Sequence, residues 1–202
     1  MTKKIIVFDF DGTLVDSNRL KHDAFPEVFP ADEHHARTVQ RVLSEMNEQS
    51  RFVILEEILR RLGLKKGTGL RTRVKELAGR YNEIVINGAK NCPEMPAAET
   101  TLKSLSQRYR LYLSSMTPDK ELKEIVGFRN WSGYFEDIYG YPHQKSETIQ
   151  HIMERERARP GQVVVVGDGN SDRQSAEVNA CFFVQVTPDF NLGDLDSIIA
   201  DL

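Results

Sequence analysis

The chain has 202 residues, with 27 Lys and Arg against 30 Asp and Glu, a net charge of −3 and 40% hydrophobic residues. That length can bury a real core and suits one domain or a core with a small insert, and the near-balanced charge carries no footprint for nucleic acid. Two distant cysteines, Cys92 and Cys181, set up no disulfide framework, and four apolar residues near the N-terminus fall far short of a signal peptide or membrane span, so a cytoplasmic protein with no membrane partner is expected.

Ile5-Ile6-Val7-Phe8 reads as a buried strand. It runs straight into Asp9-Phe10-Asp11-Gly12-Thr13-Leu14-Val15-Asp16-Ser17, which places two carboxylates at its carboxyl end, where ligand sites of open α/β sheets gather. Two acids followed by a Gly-Thr turn with free backbone N–H groups can hold a divalent cation and a phosphate together. A calcium loop is excluded, because the sixth and twelfth positions counted from Asp9 are Leu14 and Leu20 rather than Gly and Glu. Taken alone, a solvated strand end with turn-forming Asp and Gly reads the same way.

β-type sequence then stops for about ninety residues, where a simple α/β unit supplies its next strand after about thirty. The stretch is helical in pattern. Ala36, Val39, Leu43 and Met46 recur at three-to-four spacing behind Asp32-Glu33. Ser50 opens a second helix carrying Phe52, Leu55, Ile58, Leu59 and Leu62, closed by Gly63. A third carries Val74, Leu77, Tyr81, Ile84 and Val85 and is expected to end before Asn87-Gly88, with Pro93 and Pro96 punctuating the return. Residues 16–92 carry a net +3 and the remainder −6. Lys65, Lys66, Arg71, Arg73 and Lys75 run without an intervening acid, a pattern that most simply solvates a helix face.

Strands are expected next at 110–114, 137–140, 162–167 and 181–186, with helices between and a last one near 194–201. The first of these ends at Ser114-Ser115-Met116-Thr117-Pro118, where Thr117 suits an N-cap, Pro118 the first helical position and Asp119 the first turn. Lys145 follows in Tyr141-Pro142-His143-Gln144-Lys145-Ser146; a lone lysine is ordinarily a solvated side chain. Four consecutive valines, Val163 to Val166, suit a strand covered on both faces, and Gly167-Asp168-Gly169-Asn170-Ser171-Asp172 follows at its tip. Hard oxygen ligands from two strand tips suit Mg²⁺.

Strand-D-x-D, strand-Ser, Lys and strand-Gly-Asp with a second Asp four residues on resemble, in order, the four signatures of the haloacid dehalogenase-like phosphohydrolases. The helical insert resembles the small cap of the branch that holds phosphoglycolate phosphatases and β-phosphoglucomutases. One departure is that Ser146, rather than Pro, follows Lys145. The resemblance implies an α/β fold: a Rossmann-like parallel-sheet core from residues 1–15 and 93–202, and an α-helical cap from 16–92.

It further implies an enzyme that uses Mg²⁺ and hydrolyses a small phosphorylated metabolite through an aspartyl-phosphate. Asp9 is then the nucleophile and Asp11 the acid that protonates the leaving alcohol and later activates water. Ser114, with Ser115 as alternative, Lys145, Gly12 and Thr13 bind the phosphate. Asp9, Asp168 and Asp11, the last through its backbone carbonyl, hold the metal, while Asp172 orients that shell or a bound water. A mildly basic lid over an acidic core favours an anionic substrate, with the Asn47 turn or Ser50-Arg51-Phe52 as contacts for its leaving group. Asp11 argues against dehalogenation, which needs no leaving-group proton. A sugar phosphomutase keeps both acids and is the alternative; monomer and dimer are both open.

Overall fold

The computed structural model describes residues 4–46 and 49–202. Strand β1 (Ile5–Phe8) is buried at every position, as an all-apolar run demands. It lies at the centre of a five-stranded parallel sheet ordered β3-β2-β1-β4-β5, where β2 is Arg110–Pro118, β3 Asp137–Tyr141, β4 Val163–Gly167 and β5 Phe182–Gln185. In register, Phe8 stands opposite Leu113 on one side and Val166 on the other. The next residues, Asp9, Ser114 and Gly167, therefore stand at one level across three neighbouring strands, and the Asp9 N–H still donates to the Val166 carbonyl at 2.9 Å. The chain builds β2 and β3 on one side of β1, then crosses back to lay β4 on the other. This reversal of strand order opens a crevice at the carboxyl ends of β1 and β4.

The chain divides into two compact units, Met1–Ser17 with Lys90–Leu202, and Asn18–Ala89. In the first, Ile5, Val7, Tyr112, Val163 and Val165 pack one sheet face against Ile149, Ile152 and Ala176. The last three come from helices α7 (Lys145–Glu156) and α8 (Asn170–Val178), which complete the crossovers together with α5 (Ala98–Ser106) and α6 (Asp119–Phe128); α9 (Leu195–Ala200) closes the chain. Helix α5 has no sequence start signal because its cap position is Ala97, held in the left-handed region at φ 63°.

The second unit is all helical: α1 (Asn18–Glu27), α2 (Glu33–Met46), α3 (Arg51–Arg61) and most of α4 (Thr68–Asn91). Ser50 caps α3 by accepting from the Val53 N–H at 3.4 Å, and Gly63, at φ 95°, terminates it. Val39, Val42, Leu43, Leu55, Ile58 and Leu77 are among its core residues, and Phe25 of α1 stacks on Tyr81 at 4.6 Å. Helix α4 does not stop before Asn87-Gly88 but continues through it. A Cβ at Gly88 would lie 2.4 Å from Leu20 Cδ1, so this glycine admits α1 rather than ending α4.

The expected N-cap at Thr117 is also corrected. Strand β2 runs on to Pro118 after a break in register past Ser114, and α6 begins at Asp119 without a side-chain cap. Asp119 fastens α6 to β3 instead, accepting from the Gly140 N–H at 3.0 Å. A Cβ at Gly140 would meet Asp119 Cα at 2.4 Å and the Thr117 carbonyl at 2.6 Å, both backbone that cannot swing aside. Gly140→Ala is therefore expected to cost about 1–3 kcal/mol, toward the upper end. A urea titration reads this as a lowered midpoint, and an unchanged midpoint would contradict the packing.

Candidate active site

Asp9 is the first residue past β1 and is buried, 6% exposed. Lys145 reaches it from the first position of α7, with Nζ 2.9 Å from Asp9 Oδ1 and 2.6 Å from Asp172 Oδ1. A cation opening a helix opposes the helix dipole, so this lysine is held by the two carboxylates rather than by its own helix. Asp172 sits in the first turn of α8, where the dipole favours an acid, and its Oδ2 accepts from the Gly169 N–H at 3.3 Å. Gly167 makes room for it: a Cβ there would lie 2.3 Å from Asp172 Cγ. Asp168 completes the group, with carboxylate oxygens of Asp9, Asp168 and Asp172 all within 4.8 Å of one another. Ser114, buried in β2 where its register breaks, lines the same recess as Asp9, Lys145 and Asp172.

Burial pushes the Asp9 carboxyl up to about 7 against the pull of the Lys145 ammonium, and the neighbouring Asp172 and Asp11 add to the rise. Burial raises Asp172 as well, again opposed by Lys145. For Lys145, burial disfavours the charge, but Asp9 and Asp172 outweigh it and keep the ammonium above its ordinary range. Three carboxylates and one ammonium leave a formal −2 in a largely buried site, a deficit that one divalent cation balances. The donors are all hard oxygens, so the residues present fit Mg²⁺.

Asp11 is not part of that cluster. Its Oδ1 accepts from Ser17 Oγ at 2.6 Å, while Oδ2 accepts from Thr117 Oγ1 at 2.7 Å and Ser115 Oγ at 3.4 Å. Hydroxyls can donate to a carboxylate or accept from a carboxylic acid, so this collar serves both protonation states. Nothing in the sequence marks Ser17 or Thr117 as part of the site. Thr117 was hidden because its partner lies 106 residues away and only the sheet register brings them together.

The turn after Asp11 departs from expectation. The Gly12 N–H donates to the Val15 carbonyl at 2.8 Å and the Thr13 N–H to the Phe10 carbonyl at 3.4 Å, with Gly12 at φ 74°. These amides close the turn rather than stand free for a phosphate, because a loop this tight consumes its own donors. In the helical unit, Ser50 is occupied by its capping bond and the Arg51 guanidinium lies over the Phe52 ring at 4.9 Å. Asn47 lies outside the described residues.

Residues 6–186 match the family model for haloacid dehalogenase-like hydrolases. The chain therefore belongs to that family. Phosphoglycolate phosphatase of Vibrio vulnificus (strain YJ016) is 25% identical over 95% of this chain and 86% of its own length. Among solved structures, a Thermotoga maritima protein described as a β-phosphoglucomutase superposes with a TM-score of 0.72 at 19% identity, over 98% of this chain and 99% of its own. The HAD-hydrolase YfnB of Bacillus subtilis, bound to magnesium, does so at 0.72 and 14%, over 99% and 100%. Family and curated relatives together make this chain an enzyme, a hydrolase of the phosphatase kind. Among the described residues no helix is long and apolar enough to cross a membrane.

Proposed function

We propose that the protein is a Mg²⁺-dependent phosphatase that hydrolyses a small phosphate monoester through a phosphorylated Asp9. The observation that carries this reading is the pairing of a buried carboxylate, Asp9, with a buried lysine 2.9 Å away, beside two more carboxylates that leave the site short of two positive charges. An anionic nucleophile meets an anionic ester here, so the positive charge at the site decides the rate. Asp9, Asp168 and Asp172 would hold Mg²⁺, which when bound neutralises part of the charge on the phosphoryl oxygens.

The side chains carry the remaining chemistry. Lys145 fixes one Asp9 oxygen and leaves the other for attack on phosphorus, so that an O–P bond forms as the ester O–P bond breaks. Asp11 gives its proton to the departing alkoxide; it then takes one from the water that attacks the phosphoryl-aspartate, releasing inorganic phosphate and restoring Asp9. Ser17, Ser115 and Thr117 hold the Asp11 carboxyl in one orientation through both transfers. Ser114 and Lys145 meet the transferring oxygens. The helical unit, residues 18–89, acts as the cap that restricts the substrate to small esters, phosphoglycolate among them.

Phosphate release from a panel of small monoesters tests this reading. EDTA is expected to abolish release and Mg²⁺ to restore it, with Ca²⁺ restoring little because its flexible coordination loosens in-line geometry. Full activity in EDTA after exhaustive dialysis contradicts the metal assignment. An isomerised sugar phosphate in place of inorganic phosphate would make the enzyme a mutase. Intact phosphoproteins turned over faster than small esters would remove the cap's selecting role.

A further inference from the structure

The basic run Lys65 to Lys75 has no part in the chemistry above, yet it borders a cavity of about 480 Å³ formed wholly within the helical unit. Its walls are Phe29, Pro30, Leu59, Leu62, Leu64 and Leu70, contributed by the α1–α2 connection, the end of α3, the turn that follows and the start of α4. The pocket is open on one side, so it suits the tail of a small ligand rather than a whole enclosed one. The charged groups on its rim are not symmetric. Arg73 is paired with Glu76 at 2.9 Å, and His35 with Asp32 at 2.6 Å. Lys65 lines the cavity with no ion-pair partner among the described residues. Leu64, beside it, is 38% exposed, so apolar surface and a spare cation meet at one mouth.

We infer that this cavity is a second ligand site, one that takes an amphipathic monoanion: an aliphatic tail among the leucines and a carboxylate on Lys65. An apolar wall alone would accept any hydrophobe. The unpaired ammonium adds charge selectivity, because an anionic head gains a partner there while a neutral one leaves it as it was. None of the lining residues belongs to the unit that carries Asp9, and none is given a role in the chemistry above.

Gly69 lines the pocket, and a Cβ there meets nothing within 4 Å, so a bulky side chain can be placed at its rim without displacing backbone. Octanoate titrated calorimetrically into the full-length protein is expected to bind saturably with one-to-one stoichiometry, and 1-octanol to bind at least about tenfold more weakly. Lys65→Glu is expected to weaken octanoate by about tenfold or more while leaving octanol unchanged. Gly69→Phe is expected to abolish both, with an unaltered far-ultraviolet circular dichroism spectrum. No saturable octanoate binding, equal affinity for the two probes, or octanoate binding indifferent to both substitutions would overturn the assignment. A dimer dissolved by Gly69→Phe, in a protein that binds neither probe, would make the cavity a seat for a second copy and overturn it equally.

Discussion

Asp9→Asn is expected to reduce phosphate release by about 10⁴-fold or more, on the scale of losing a nucleophile, while the protein stays folded. Asparagine is nearly isosteric and can still accept from Lys145. The folded state also loses one of the like charges that crowd the recess, so its unfolding midpoint in metal-free buffer is expected to hold or rise. Asp11→Asn removes the proposed acid and base but not the proposed nucleophile, and is expected to slow turnover by about 10²–10⁴-fold. Its hydroxyl collar can re-pair with an amide, so the fold stays intact. Steady-state assays with both variants, read beside a urea titration, separate chemistry from folding. An Asp9 variant that is inactive because it is unfolded would leave the folding expectation refuted.

Lys145→Met carries the second large effect, and it falls on stability as well as rate. The side chain is 7% exposed and bridges Asp9 and Asp172. Deleting one member of a buried ion pair leaves uncompensated charge and costs about 3–5 kcal/mol. Removing a cation that meets the transferring oxygens costs about 10²–10³-fold in rate. Both losses are expected in Lys145→Met, with Mg²⁺ restoring part of the stability by adding positive charge back to the recess. A surface lysine would show neither effect, so unchanged stability in metal-free buffer would contradict the bridging geometry.

The parts of the molecule that were legible in the sequence share a physical cause. Val163 to Val166 and Ile5 to Phe8 are apolar on both faces because helices cover both sides of a parallel sheet, and no other context tolerates such runs so easily. Carboxylates that follow such strands are then visible by position alone. What stayed hidden depends on contacts between distant segments. Thr117 reads as a helix cap because its neighbours suit one, but β2 extends past it and turns its hydroxyl toward Asp11. Gly88 reads as a stop, though it is there to let Leu20 close on α4. Helix α5 begins at a left-handed alanine that no start signal announces. Gly12 and Thr13 looked like open donors because a sequence does not reveal that a turn has closed on its own amides.

The division of labour proposed for Asp9 and Asp11 is tested most directly by an attempt to trap a covalent phosphoenzyme. Each variant is mixed with labelled acetyl phosphate and Mg²⁺, quenched in acid within milliseconds and assayed for acid-stable, hydroxylamine-labile label. The Asp11→Asn protein is expected to accumulate label, because a good leaving group needs no proton and the water that would clear the intermediate lacks its base. The Asp9→Asn protein is expected to carry none. Label on the Asp9 variant and none on the Asp11 variant would reverse the roles and contradict the mechanism.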